Sequence, residues 1–133
     1  MKLRIFIVIA SVIMILVGLL RGIGGILLLI NGNNIDVAPP VSANSLVSRL
    51  CGIGLLIVFL TFSISAFYLL KYKCKNGWML AWIGIAIFLL GGLINGYLLF
   101  GTPFVQDQIV NFASSVLIAL NLMLGRKSLT RTV

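Results

Sequence analysis

The sequence predicts an all-α integral membrane protein: a four-transmembrane-helix antiparallel bundle in which residues 1–133 form a single membrane domain. The first observation is composition, since 61% of the residues are hydrophobic and only ten basic and two acidic residues occur. The second is a mean hydropathy of +1.21. Soluble domains are nearer ~45–50% apolar and ~25% charged, and disordered chains are more polar still. The third is that the apolar residues fall into four runs, each able to cross a hydrocarbon core of ~30 Å.

These runs predict helices at approximately 5–30, 46–70, 78–100 and 103–125. Backbone groups in lipid must bond to one another, which favours helices for all four. The first run is expected to be an uncleaved helix, because it exceeds the apolar core of a signal peptide and no small-residue cleavage site follows it.

Turn-forming residues separate the runs. The predicted outer loop, 31–45, carries Asn-Gly-Asn-Asn and two prolines, and Asn44 or Ser45 is expected to cap the second helix. Gly101, Thr102 and Pro103 predict a tight turn with a glycine end, a cap and a first-turn proline. The last two helices should therefore be antiparallel neighbours.

Lysine and arginine predict the orientation. If the chain crosses four times, eight of them share one side: Lys2, Arg4, Lys71, Lys73, Lys75, Arg126, Lys127 and Arg131. On the other side Arg21 and Arg49 are offset by Asp36 and Asp107. The positive-inside rule then places both termini in the cytoplasm. We expect the protein in a bacterial cytoplasmic membrane.

Composition also excludes most chemistry. The chain lacks histidine and glutamate, so acid–base catalysis would depend on Asp36 and Asp107, which lie in different loops. Cys51 and Cys74 are separated by roughly 35 Å of helix at 1.5 Å per residue, too far for a disulfide or a shared metal. We therefore expect no enzyme activity, no catalytic residue, no cofactor and no metal. The cations lie at helix ends rather than on a folded face, so no nucleic acid partner is expected.

Polar residues inside the apolar runs are the candidate site. Counted at 1.5 Å per residue, Arg21, Asn95 and Asn111 lie roughly 22–26 Å from the predicted cytoplasmic end. Asp107 is one turn farther out, and Arg49 enters the second helix slightly above. Each shares a helical face with small residues, which predicts that these faces point into the bundle. Because a buried cation needs a partner, Arg21 is expected to bond to Asp107 or to the two asparagine amides.

This candidate layer has several interpretations. It can fix helix register, bind an anionic or polar ligand entering from outside, or be completed by a helix of another protein; Arg21 alone could also snorkel to the headgroups. The leading hypothesis is a non-enzymatic accessory or assembly subunit of a membrane complex. The alternative is a small transporter, channel or ligand-binding membrane protein that uses the layer around Arg21, and a lipid-modifying enzyme is a third hypothesis. Expected partners are membrane lipids and another membrane protein or a second copy of the chain.

Overall fold

The computed structural model describes residues 2–32, 44–101 and 107–129, with side chains throughout these ranges except at 2, 3 and 107. The chain forms four α-helices: α1 (Lys2–Asn31), α2 (Ser45–Phe67), α3 (Lys75–Phe100) and α4 (Asp107–Gly125). A π-helical turn, Tyr68–Tyr72, continues α2, and a 3-10 turn, Arg126–Ser128, follows α4. No strand occurs in these described ranges.

All four helices are long and apolar enough to cross a membrane, so the predicted all-α, four-span architecture is confirmed at this level. The exposed surface agrees with helices that span a membrane. Leu20, Leu90 and Ile109, from three different helices, are 70%, 62% and 73% exposed. Monomeric soluble proteins rarely present large contiguous apolar surfaces, whereas lipid accepts them.

Two helix ends follow the capping signals in the sequence. The Asn44 side-chain oxygen accepts a 2.9 Å hydrogen bond from the Val47 N–H at the start of α2. Gly101 ends α3 in the left-handed region, with φ +78°, and its N–H donates to the Tyr97 carbonyl. Both caps were predicted. The predicted cap at Thr102 and the proline after it lie outside the described residues.

The start of α3 differs from the prediction. This helix begins at Lys75 rather than at 78, because the chain reversal occupies only two residues, Lys73 and Cys74. The Lys73 N–H donates to the Tyr68 carbonyl, and Lys73 adopts a left-handed φ of 54° that reverses the chain. Gly77 then packs so tightly that a Cβ there would lie 2.9 Å from the Tyr68 Cβ. Helical structure thus extends into the basic segment from both sides, and only Lys73 and Cys74 separate the π-helical turn from α3.

The helices form an antiparallel bundle in which α1 and α3 each pack against both α2 and α4. One end of the bundle, hereafter the basic end, holds the start of α1, the turn between α2 and α3, and the end of α4. There the Arg4 guanidinium donates to the Leu70 carbonyl at 3.5 Å. The opposite end, hereafter the loop end, holds the end of α1 and the start of α2.

Apolar packing fills the half of the bundle toward the basic end. Phe62 is fully buried and meets Phe88 edge to face, with ring centroids 5.5 Å apart. Gly84 makes room for it, since a Cβ there would lie 3.0 Å from the Phe62 ring. The surrounding core residues are buried and apolar: Ile7, Ala10, Met14, Ala66, Leu69, Ala81, Ile118 and Leu122.

Toward the loop end, α1 and α2 touch backbone to backbone. A Cβ on Gly25 would lie 2.6 Å from the Gly52 carbonyl oxygen, and a Cβ on Gly52 would lie 2.6 Å from the Gly25 oxygen. Only a residue without a side chain fits on either side of this contact. The small residues of these spans thus pack inside the bundle.

Candidate functional site

Four residues from three helices form a hydrogen-bonded polar layer: Arg21 of α1, Gly92 of α3, and Gln108 and Asn111 of α4. The Arg21 guanidinium donates to the Asn111 side-chain oxygen. Asn111 in turn donates to the Gln108 side-chain oxygen at 3.2 Å. The Gln108 amide nitrogen donates to the Gly92 carbonyl at 2.6 Å. The polar layer therefore links α1 to α3 through α4.

Burial strengthens these hydrogen bonds. Gln108 and Asn111 are only 5% and 3% exposed. Arg21 is half-buried, and its guanidinium lies 5.7 Å from the centroid of the Phe88 ring. In a low-dielectric interior, charge-assisted hydrogen bonds and cation–π contacts are both stronger than in water.

Gly92 shapes the α3 side of the polar layer. A Cβ at this position would lie 2.7 Å from the Asn111 side-chain nitrogen and 3.3 Å from the Gln108 side-chain oxygen. The missing side chain is what lets the two amides approach the backbone of α3. The Gly92 carbonyl then accepts the last hydrogen bond of the polar layer, from Gln108.

The sequence-predicted residues divide into two groups. Arg21 and Asn111 come together. Asn95 instead lies beside α2, with its amide 3.9 Å from where a Gly54 Cβ would stand. Asn95 follows Gly92, which contacts the polar layer, by three residues and so lies about 4.5 Å nearer the loop end on α3.

The position of Arg49 differs from the prediction that its side of α2 faces the bundle. Arg49 is exposed, and its neighbour Ser48 takes the buried position. The physical reason is that an exposed guanidinium keeps its solvation, whereas burial would demand a paired acceptor. Asp107 begins α4, but its side chain lies outside the described residues, so its pairing with Arg21 stays a prediction.

Gln108 was not among the polar-layer residues predicted from the sequence. Its signal is spacing, since it precedes Asn111 by three residues and so lies on the same face of α4. That face continues to Ser115, which is also buried. An amide residue at helical spacing from another amide inside an apolar run is the pattern that would have identified it.

The described polar-layer side chains are one guanidinium and two amides. These groups donate and accept hydrogen bonds and hold a positive charge, but they do not titrate near neutral pH. Within the described ranges, no group of three histidine, cysteine or acidic residues could hold a metal ion. Cys51 and Cys74 are free, buried thiols near opposite ends of the bundle.

These features define a small helical bundle with four helices able to cross a membrane and a hydrogen-bonded polar layer in its interior. The chain matches no protein-family model, and comparisons with curated proteins and with solved structures gave no match. The polar layer and the apolar exterior are therefore the features from which a function can be inferred.

Proposed function

We propose that this chain is a non-enzymatic membrane protein that acts as an accessory or assembly subunit of a membrane complex. One observation carries the proposal: the interior amides bond to groups of the chain itself. Asn111 accepts from Arg21 and donates to Gln108, which donates to Gly92. Side chains matched in this way favour one helix register and one set of helix rotations. Each of the two amides thus has its oxygen and its nitrogen bonded within the chain.

The exterior is then the surface that remains for interaction. Successive turns of α4 present Ile109, Phe112 and Val116, which are 73%, 51% and 54% exposed. A rigid bundle with a wide apolar face suits contact with another helix through van der Waals packing. The partner we propose is another membrane protein or a second copy of this chain.

Charge supports an orientation with both termini in the cytoplasm. Six of the described cations lie at the basic end: Arg4, Lys71, Lys73, Lys75, Arg126 and Lys127. Cytoplasmic loops and termini carry such an excess of lysine and arginine, so we place the basic end on the cytoplasmic side and the loop end outside.

Cysteine labelling on intact cells tests this orientation. Native Cys74 is a poor reporter because it is 0% exposed. The reporters should be Asn31→Cys at the loop end and Lys127→Cys at the basic end, both exposed positions, in a chain with Cys51→Ser and Cys74→Ala. An impermeant maleimide should label the first on intact cells and the second only after permeabilisation. The reverse pattern would overturn the orientation.

Purification from native membranes tests the accessory role. The tagged chain, extracted in mild detergent, should retain one other protein in near-stoichiometric amount, with untagged membranes as the control. Recovery of only lipid and the abundant proteins of the control contradicts the accessory role. It would favour the alternative, a small transporter, channel or ligand-binding protein that uses the surroundings of Arg21.

A further inference from the structure

A groove of about 540 Å³ runs along the outside of the bundle between α1 and α2. Its walls are apolar apart from one serine: Ile15 and Leu19 from α1, and Phe59, Ser63, Phe67 and Leu70 along α2 and its π-helical turn. Leu19 and Phe67 are 45% and 49% exposed, so the groove opens sideways onto the exterior. Its volume lies within the ~300–1,000 Å³ of small-molecule sites.

The groove has the length of one lipid tail. From Phe59 to Lys71 the helical rise amounts to roughly 18 Å at 1.5 Å per residue. The hydrocarbon of one leaflet is about 15 Å thick, half of the ~30 Å core. Ser63 provides depth, because its short side chain lies between the larger rings of Phe59 and Phe67.

A lysine closes the groove at the basic end. Lys71 lines the groove, and its ammonium lies 5.2 Å from the Phe67 ring centroid and 5.4 Å from that of Tyr72. Contacts with aromatic faces hold the cation in place without neutralising it. Lys71 belongs to the π-helical turn, a type of element that occurs frequently at functional sites.

Charge balance at this end requires anions from the surroundings. The only acidic side chains in the sequence are Asp36 and Asp107. Asp107 begins α4 at the loop end, and Asp36 falls between α1 and α2, which connect at that same end. The described cations of the basic end therefore lie at the opposite end of the bundle from the start of α4. At the membrane surface, anionic headgroups supply the missing charge.

We propose that this groove binds one anionic phospholipid, with an acyl chain along Leu19, Ser63 and Phe67 and the phosphate against Lys71. Apolar walls of leaflet length account for the tail, and the positioned ammonium accounts for the headgroup. The proposal rests on membrane insertion with the basic end at a headgroup layer, but not on the accessory role.

Native mass spectrometry of the delipidated full chain, titrated with lipid, tests the proposal. Dioleoyl phosphatidylglycerol should bind as one selective adduct, ahead of dioleoyl phosphatidylcholine, which has the same tails. Lys71→Gln should weaken the affinity about fivefold, the weight of one lysine at an anionic surface. Lys127→Gln makes the same charge change at the same end, outside the groove, and should leave the adduct unchanged.

A second pair of variants tests the groove itself. Ser63→Phe fills it and should abolish the selective adduct, whereas Ile64→Phe adds bulk on the exposed neighbouring position and should keep it. If Ser63→Phe does not fold, the exposed Lys71 variant decides the question alone.

Three results would contradict the proposed lipid-binding site. Equal losses for the Lys71 and Lys127 variants would mean diffuse surface charge, and equal binding of phosphatidylcholine would remove the anionic headgroup from the proposal. Binding of glycerol phosphate as tightly as the lipid would make the ligand a free phosphate. If the accessory role is wrong, the membrane purification will show it and these lipid titrations will be unchanged. If the chain is recovered without detergent, membrane insertion itself is wrong.

Discussion

The hairpin of α1 and α2 and the hairpin of α3 and α4 are held together by different forces. In the first, backbones touch at Gly25 and Gly52. In the second, side chains reach across to backbone carbonyls, from Trp78 to Leu122 at 3.0 Å and from Gln108 to Gly92 at 2.6 Å. Lipid tails are as apolar as leucine, so helices gain no hydrophobic free energy by associating. The two hairpins show the two remaining means, close packing and interhelical hydrogen bonds.

The largest effect is expected from a methyl group in the first hairpin. Gly25→Ala puts a Cβ 2.6 Å from the Gly52 carbonyl oxygen, a backbone atom that cannot rotate away. We expect the free energy of unfolding to fall by about 3 kcal/mol. The control is Gly24→Ala, whose new Cβ would lie 3.8 Å from its nearest neighbour and should leave stability unchanged or raised. Thermal unfolding in detergent measures both, and equal midpoints would refute close packing as the basis of this hairpin.

A smaller loss is expected from the polar layer. Asn111→Leu deprives Arg21 and Gln108 of a buried partner and should lower the free energy of unfolding by about 2 kcal/mol. Asn121→Leu is the matched control on the same helix, because among the described residues the Asn121 amide bonds to the Leu117 carbonyl one turn earlier and to no other helix. Stability of that control should change by less than about 0.5 kcal/mol.

The polar layer also predicts an order of effects. Arg21→Leu should destabilise less than Asn111→Leu, because it removes the cation rather than leaving it short of an acceptor, and the double variant should recover part of the loss. An Arg21→Leu chain that unfolds like the unmodified one but has lost its biological activity would instead support a ligand site.

The smallest expected effect is a difference in stability between variants of two tryptophans of α3. Trp78→Phe removes the donor to the Leu122 carbonyl and should cost about 1 kcal/mol. Trp82 lies 5.8 Å away, ring to ring, and its buried indole N–H has no hydrogen-bond partner among the described residues. Trp82→Phe should therefore be neutral or stabilising. A larger loss for Trp82 than for Trp78 in the same melting assay would contradict the assigned role of the hydrogen bond.

Most of the fold could be predicted because runs this long and apolar strongly favour helices. Apolar runs of sufficient length had to be helices, and Asn44 and Gly101 carried their own capping chemistry. The start of α3 could not be predicted in this way. It depends on a π-helical turn and on Gly77 meeting Tyr68, a tertiary contact that local composition does not encode.

The candidate site could be predicted only in part. Counting helical rise placed Arg21 and Asn111 at one depth, and the structure joins them. Depth does not determine which face of a helix a residue occupies, and Arg49 is exposed and Asn95 lies beside Gly54 of α2. The spacing of Gln108 to Asn111 marks a shared face of α4, but its acceptor, the Gly92 carbonyl, has no side-chain signal in the sequence.

The π-helical turn also bears on how the chain length between α2 and α3 can change. Its bond from the Lys73 N–H to the Tyr68 carbonyl spans five residues, one more than in an α-helix. Deleting one residue from Tyr68–Tyr72 would let this turn close as an ordinary α-helical turn. The same deletion in the middle of α2 would rotate one part of that helix by about 100° relative to the other. The junction is therefore where this chain can lose one residue with the least change in the faces that its helices bury.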